Sequence, residues 1–282
     1  MKIGGEDIVW CMHGRLERAR TPMVMGILNI TPDSFVRSSR LETLDQALWT
    51  ADRMLAEGAG MLDVGGASSR PGSSELPLEE ERKRVIPVIT GLRERFPGAL
   101  ISIDTWRAAL AAEAVEAGAS LVNDIGAGLM DSAMLPTVAR LRVPYIVMHM
   151  QGTPRTMQRA PTYRDVVAEV VKFLSERVLA ARRAGIADVL VDPGFGFGKD
   201  SAHNFALLRG SGAIRQLGAP IVAGLSRKRM INEVLGTDPE SALNGTTVLN
   251  TLALLNGAAI LRVHDVREAV EAVKLLAAYD RG

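Results

Sequence analysis

At 282 residues, with 47% hydrophobic and 23% charged side chains, the chain has the make-up of an ordinary folded protein. A formal net charge of +1 gives no field to draw it to nucleic acid or an anionic membrane, and a single cysteine, Cys11, excludes an internal disulfide and any cysteine-based zinc site. No apolar run reaches the ~18 residues of a membrane helix, and Lys2, Glu6, Asp7, Arg15 and Glu17 interrupt any signal-peptide core, so a cytoplasmic protein with no nucleic-acid or membrane partner is expected.

In chain order, Ile8 to Arg20 reads as a short strand pair or arm ending at Thr21-Pro22, so residues 1–22 are set apart from one domain at 23–282. Strands are predicted at Met23–Leu28, Gly60–Val64, Leu100–Ile103, Ser120–Asn123, Val143–Met148, Val189–Val191, Pro220–Leu225 and Ala259–Val263. Between them, Leu44–Glu57, Arg107–Ala117, Tyr163–Arg183 and Val266–Ala278 carry apolar residues at helical spacing. The joints repeat. Gly58-Ala59, Gly118-Ala119, Gly185-Ile186 and Gly257-Ala258 each close a helical run and lead through a short apolar strand to Asp63, Asn123-Asp124, Asp192, or Arg262 and His264. A helix stopped by Gly, a buried parallel strand and a polar strand end form the unit of a (β/α)8 TIM barrel. In that fold all strands open onto one mouth, where active sites lie, and the arm is expected at the other, closed end. No Gly-x-Gly-x-x-Gly follows the first strand, which argues against an open dinucleotide-binding sheet.

The strand ends are Asn29, Asp63, Asp104, Asn123 with Asp124, His149, Asp192, Ser226 to Lys228, and Arg262 with His264. Any one of them could be a helix cap or turn former. Together they would crowd unpaired polarity into one mouth, and such polarity calls for a polar ligand. The run Asp192 to Lys199 mimics a phosphate loop, but Pro193 stands where that motif needs Gly and Asp200 where it needs Ser or Thr. Its glycines are expected to bring backbone close to a flat ligand, with Phe197 as a wall, although plain turn chemistry also accounts for them. Ser226-Arg227-Lys228 at a helix start suggests one anion site. Arg262 and His264, alternating on the last strand beside Asn29, suggest a second. The pocket therefore fits a ligand with a flat, donor-rich heterocycle, a phosphate or pyrophosphate, and a carboxylate. His13, His149, His203 and His264 lack the spacing of a zinc hydrolase.

Laid side by side, these segments resemble the dihydropteroate synthase family of folate biosynthesis. The motifs are Met25-Gly26-Ile27-Leu28-Asn29-Ile30-Thr31-Pro32-Asp33-Ser34-Phe35, Asp63-Val64-Gly65-Gly66, Ser69-Arg70-Pro71-Gly72, Ser102-Ile103-Asp104-Thr105, Asn123-Asp124-Ile125, Met148 to Pro154, Asp192 to Lys199, Ser226-Arg227-Lys228 and Arg262 to Val266. The resemblance implies condensation of 6-hydroxymethyl-7,8-dihydropterin pyrophosphate with p-aminobenzoate to 7,8-dihydropteroate and pyrophosphate. It implies pterin binding by Asp104, Asn123, Asp192 and Lys228, and pyrophosphate binding by Asn29, Arg262 and His264, with Asn29 also holding Mg²⁺. Phe35, Ser69, Arg70, Pro71, Phe197 and Ser226 would surround p-aminobenzoate, which sulfonamides mimic. Asn29, Lys228, Arg262 and His264 are expected to carry the chemistry. A homodimer through the last helices is also implied by the resemblance, where Val248 to Leu255 and Val266 to Leu276 are apolar, a pattern that packing on the barrel explains equally.

The chain departs from the family twice. Val36-Arg37-Ser38-Ser39 replaces the usual Ser-Asp-Gly-Gly, reversing a charge in the first loop, and Ala67 stands where Glu is usual. The alternative to an active synthase is a pterin-binding paralogue impaired by that altered loop. A methyl-transferring member of the barrel superfamily would need neither Ser69-Arg70-Pro71 nor a pyrophosphate site.

Overall fold

A computed structural model describes residues 7–30, 43–67 and 76–281. The expected Phe35, Ser69, Arg70 and Pro71, and the altered segment around Arg37, lie outside the described residues. Strands β1 (Asp7–Met12) and β2 (Arg15–Arg20) pair antiparallel, Asp7 opposite Arg20, around a His13-Gly14 turn with φ of 51° and 79°.

Eight parallel strands then close a barrel: β3 (Met23–Asn29), β4 (Met61–Gly65), β5 (Leu100–Asp104), β6 (Leu121–Asp124), β7 (Tyr145–Met148), β8 (Val189–Asp192), β9 (Ile221–Ala223) and β10 (Ala258–Val263), with β10 hydrogen-bonded to β3. The helices between and after them are α1 (Leu44–Ala56), α2 (Leu78–Arg95), α3 (Ala108–Glu116), α4 (Met134–Leu141), α5 (Val166–Arg183), α6 (Ser201–Arg209), α7 (Ser211–Arg215), α8 (Arg229–Leu235), α9 (Leu243–Leu255) and α10 (Val266–Tyr279).

The repeating Gly joints have a local cause. Gly58, Gly118, Gly185 and Gly257 all take a left-handed φ, between 93° and 120°. At three joints the next residue's N–H reaches back to a helical carbonyl: Ala59 to Met54 (2.9 Å), Ala119 to Ala114 (2.8 Å) and Ile186 to Ala181 (3.1 Å). This is the Schellman ending, which favours Gly followed by an apolar residue packed on the helix.

Two strands are shorter than the sequence suggests. Pro144 has no N–H for a ladder, so β7 begins at Tyr145 rather than Val143, and β9 is reduced to three residues. Helix α5 starts at Val166 rather than Tyr163, because Asp165 caps the amides of Val167 and Ala168 at 2.9 and 3.0 Å.

Alternation along the strands splits the core in two. Val24, Leu28, Leu62, Val64, Ile101, Ile103, Val122 and Val147 belong to one cluster, with helical residues such as Ala51, Met54, Ile89 and Leu92. The intervening residues Met25, Met61, Leu121, Ile146, Leu190, Val222 and Ile260 form a second cluster within the barrel, joined by Trp10, Met12 and Ala19 of the hairpin. The hairpin is tied to the strands' N-terminal side. Cys11 N–H donates to Asp188 Oδ2 (2.6 Å) and His13 N–H to the Arg142 carbonyl (2.9 Å), just before β8 and β7. It therefore closes that end.

Candidate active site

On six of the eight strands the inner file starts apolar and ends polar. Met25, Ile27 and Asn29 follow one another along β3; Met61 leads to Asp63, Leu100 to Ser102 and Asp104, Leu121 to Asn123, Leu190 to Asp192, and Ile260 to Arg262. Register brings these ends together, because Asn29 lies opposite Gly65, Gly65 opposite Asp104, and Asp104 opposite Asn123.

Arg262 is the centre of the mouth. Its Nε donates to Asp63 Oδ2 at 2.6 Å and its Nη2 to Asp104 Oδ2 at 2.7 Å, while Asn123 Nδ2 donates to the same Asp63 oxygen at 3.2 Å. Asp63 is fully buried, and its Oδ1 has no hydrogen-bond partner among the described residues. Burial opposes the Arg262 charge, but Asp63 and Asp104 outweigh it and hold the guanidinium firmly protonated. Burial pushes the Asp104 carboxyl up to about 7; Arg262 pulls against that shift and Asp63 adds to it.

Asp63 carried no assigned role in the sequence reading. The available signal was parity, since it shares the inner file with Asn123 and Asp104. Asp124, one residue out of that parity, faces the other way. It accepts from the Gly126 and Gly128 amides (both 2.7 Å) and from the Tyr145 hydroxyl (2.5 Å), so it shapes a loop instead.

Gly65 explains how Asn29 joins the group. A methyl there would lie 3.7 Å from Asp104 Oδ2 and 3.8 Å from Asn29 Oδ1, so its absence leaves a gap between two oxygen donors. A methyl at Gly66 would strike Val85 at 2.7 Å, beside the Glu81 of a buried ion pair with Arg107. Arg84 donates to the Gly66 carbonyl (3.1 Å) and Arg107 to that of Leu76 (2.5 Å), anchoring both flanks of the segment between them.

On the opposite side, Asp192 Oδ1 accepts from Gly194 N–H (2.7 Å), and burial pushes its carboxyl up. Lys228 Nζ sits 4.5 Å from the centre of the Phe197 ring, a cation–π contact. Burial, with repulsion from Arg262, pulls that ammonium down to about 8. Ser226 Oγ is 2.9 Å from His264 Nδ1 and accepts from His264 N–H at 3.2 Å. Burial, helped by Arg262, lowers the His264 imidazole to about 3, so it is neutral in the free protein.

The cation pair expected beside Ser226 separates. Arg227, at φ 56°, turns to Asp265 with two bonds of 2.8 and 2.9 Å and to the Pro239 and Glu240 carbonyls, whereas Lys228 stays with Phe197. Helix α8 starts only at Arg229, with Lys228 as its N-cap.

The glycine-rich segment is built against the protein itself. A methyl at Gly194 would lie 1.9 Å from the His149 carbonyl oxygen, whereas one at Gly196 would lie 3.3 Å from Lys228 Cδ. Only the second glycine borders a residue expected to bind ligand. Lys199, which sequence reasoning left without a role, locks this segment. Its Nζ is buried among His149 Nδ1 (2.8 Å) and the carbonyls of Gly194 (2.9 Å) and Phe197 (3.1 Å). Gln158 and Tyr163 hold the carbonyls of Gly196 and Gly198 at 2.6 and 2.7 Å, and Asn204 accepts from Gly196 N–H at 2.8 Å. His149 is thus spoken for, and burial with Lys199 beside it lowers its imidazole to about 3.

Against this geometry the comparisons with known proteins are direct. Residues 25–264 match the family described as pterin binding enzyme. The dihydropteroate synthase of Escherichia coli K12 is 43% identical over 91% of this chain and 91% of its own length. The Yersinia pestis dihydropteroate synthase, solved as a sulfonamide drug complex, superposes with a TM-score of 0.93 at 40% identity, covering 98% of this chain and 100% of that one. The Xanthomonas albilineans dihydropteroate synthase, solved with 7,8-dihydropteroate, gives 0.86 at 42% identity, with 98% and 100% covered. With a mouth of paired carboxylates, amides and half-buried cations at the ends of parallel barrel strands, this chain belongs to the pterin-binding enzyme family, among the dihydropteroate synthases.

Proposed function

We propose that this chain joins 6-hydroxymethyl-7,8-dihydropterin pyrophosphate to p-aminobenzoate through three adjoining subsites of the described mouth. The observation that carries the reading is Arg262 spanning two carboxylates, Asp63 and Asp104, at the strand ends. Asp104, Asn123 and Asp192 accept from or orient the pterin's amino and ring N–H groups, and Lys228 donates to its oxo and ring-nitrogen edge. Phe197 and Ser226 flank p-aminobenzoate, and the contact of Phe197 with Lys228 supports adjacent subsites for the two substrates. Asn29, Arg262 and His264 take the pyrophosphate, and the bond between Ser226 and His264 links that subsite to the one for p-aminobenzoate. Phe35, Ser69, Arg70 and Pro71 complete the p-aminobenzoate site in this proposal.

The arylamine brings its own lone pair, so no side chain has to serve as a covalent nucleophile. The exocyclic C–O bond loosens first, the dihydropterin ring spreads the positive charge, and the amine then forms the C–N bond and loses a proton. Arg262 is charged and largely withdrawn from solvent, at 20% exposure, so it stabilises the leaving group at little desolvation cost. Pterin donors that engage Asp104 compete with Arg262 for that carboxylate, and so turn the guanidinium toward the pyrophosphate. Holding the amine in line supplies the remaining acceleration.

Magnesium is part of the proposal. Among the described residues no cluster of three His, Cys, Asp or Glu side chains could hold a metal. The gap above Gly65, with Asn29 Oδ1 and Asp104 Oδ2 beside it, nonetheless offers the hard oxygens this ion prefers. Mg²⁺ commonly takes only one or two protein ligands and completes its shell with water and phosphate oxygens, which fits Asn29 as its protein ligand. When bound, it would neutralise charge on the departing pyrophosphate.

A homodimer through α9 and α10 is likewise proposed. Val248 and Leu252 on α9, and Leu275 and Tyr279 on α10, are exposed one turn apart, with Val234 and Leu235 exposed at the end of α8. Sedimentation of wild type against Val248→Glu/Leu252→Glu tests it; a variant that sediments like the wild type would remove this interface. A cytoplasmic setting is proposed on the free Cys11, and none of the described helices is long and apolar enough to cross a membrane.

The decisive experiment measures pyrophosphate release with the dihydropterin pyrophosphate, p-aminobenzoate and a Mg²⁺ titration. Release that requires both substrates is expected. Tight pterin binding without release would overturn the assignment of chemistry to this mouth.

A further inference from the structure

A cavity of about 1230 Å³ opens on the side of the barrel away from the mouth. The hairpin lines one wall and the Val270, Val273 and Ala277 face of α10 the other, over a floor at the first residues of β3 and β5. Six Lys or Arg side chains line it, Arg15, Arg18, Arg20, Arg93, Lys274 and Arg281, against one carboxylate, Glu17. In a chain whose cations and anions almost cancel, at 33 against 32, that concentration sets this face apart. The mouth, by contrast, balances Asp63, Asp104 and Asp192 with Arg262, Lys228 and Lys199.

Arg93 is committed to structure, donating to the Gly118 and Pro97 carbonyls and to Ser120 Oγ. The side chains of Arg15, Arg18, Arg20, Lys274 and Arg281 form no ion pair or hydrogen bond among the described residues. Like charges gathered at a concave, partly apolar surface repel one another and focus their field into the cavity, and an anion relieves both effects. Guanidinium groups are suited to phosphate and carboxylate, which they can grip with two parallel bonds.

We propose that this basin is a second ligand site, taking a small oligoanion with several phosphate or carboxylate groups, its apolar part resting on Val270, Val273 and Ala277. The site is separate from the chemistry and occupies the end that the hairpin closes.

The test is calorimetric titration with sodium tripolyphosphate, ATP and citrate at matched ionic strength, on wild type, Arg18→Glu/Arg20→Glu/Lys274→Glu and Arg262→Ala. The mouth also takes phosphate, so the wild type should show two classes of site. The triple variant should lose one class, with at least tenfold weaker binding there, while its kcat stays unchanged and shows that it is folded. Arg262→Ala should weaken the other class and keep this one. The milder Arg18→Gln/Arg20→Gln variant should fall in between. ATP binding more tightly than tripolyphosphate would identify a nucleotide-like ligand, and citrate binding most tightly a polycarboxylate. Identical isotherms for wild type and the triple variant, or no saturable class beyond the one that Arg262→Ala alters, would overturn the proposal.

Discussion

The two ends of the barrel are made from the same eight strands and are chemically opposite. At the closed end Met25, Met61, Leu121, Ile146, Leu190, Val222 and Ile260 pack beneath Trp10 and Met12 of the hairpin. Two residues further along several of the same inner files stand Asp63, Asn123, Asp192 and Arg262. One end gathers apolar surface and stabilises the fold; the other gathers charge that the fold must compensate internally until a ligand arrives. The lesson is a division of labour along each strand, in which stability and function are separated by about 7 Å of chain, two residues of strand rise.

If the division holds, changes at one end should leave the other's property alone. The largest effect is expected for Arg262→Ala, with kcat falling about 10²- to 10³-fold, as for removal of a preorganised charge at a transition state. Steady-state kinetics checks it, and an unchanged kcat with pterin binding abolished would move Arg262 from the leaving group to the pterin. Lys228→Ala or Asp192→Ala should abolish measurable pterin binding by calorimetry while the protein remains folded.

Trp10→Ala tests the closed end. It should cost about 3–5 kcal/mol in denaturant unfolding, with kcat per folded molecule unchanged. Trp10→Phe should recover most of that loss, because Trp10 Nε1 is buried without a hydrogen-bond partner among the described residues and its removal relieves a cost. A large fall in kcat for Trp10→Phe would break the comparison.

Lys199→Met sharpens it from the side of the mouth. Freed from three partners, the loop bearing Phe197 loosens, and KM for p-aminobenzoate should rise about tenfold with kcat less affected. The smallest effect concerns pH. The acceptor Asp104 must be ionised, which favours pH above about 7, and Lys228 must be protonated, which favours pH below about 8. A narrow bell in kcat/KM between these limits is therefore expected, falling up to tenfold per unit on either side. A flat profile from pH 6 to 9 would show that neither group titrates in the free enzyme.

Much of this was legible in the chain because the physics is local. A Schellman ending favours Gly with an apolar follower, so three of the four joints announce themselves, and at all four the strand begins within four residues of the Gly. Polar strand ends were equally visible. What was not legible depends on partners distant in sequence. Arg227 and Lys228 are adjacent and equally charged, yet Asp265 and two loop carbonyls claim the first, and the Phe197 ring lies beneath the second. Asp63, within β4, and Asp124, at the end of β6, are both strand carboxylates, and their inner or outer parity separates the partner of Arg262 from a loop brace. Lys199 stands in a run that mimics a phosphate loop, and its role emerges only once three carbonyl oxygens and His149 converge on it.

The hairpin's position has a practical consequence. Because β1 lies under the closed end, Asp7 sits on the face opposite the mouth, separated from it by the barrel's depth, on the order of 20 Å. A tether or dye placed there is a quiet handle for immobilisation or single-molecule work, so long as its charge does not fill the basic basin beside it.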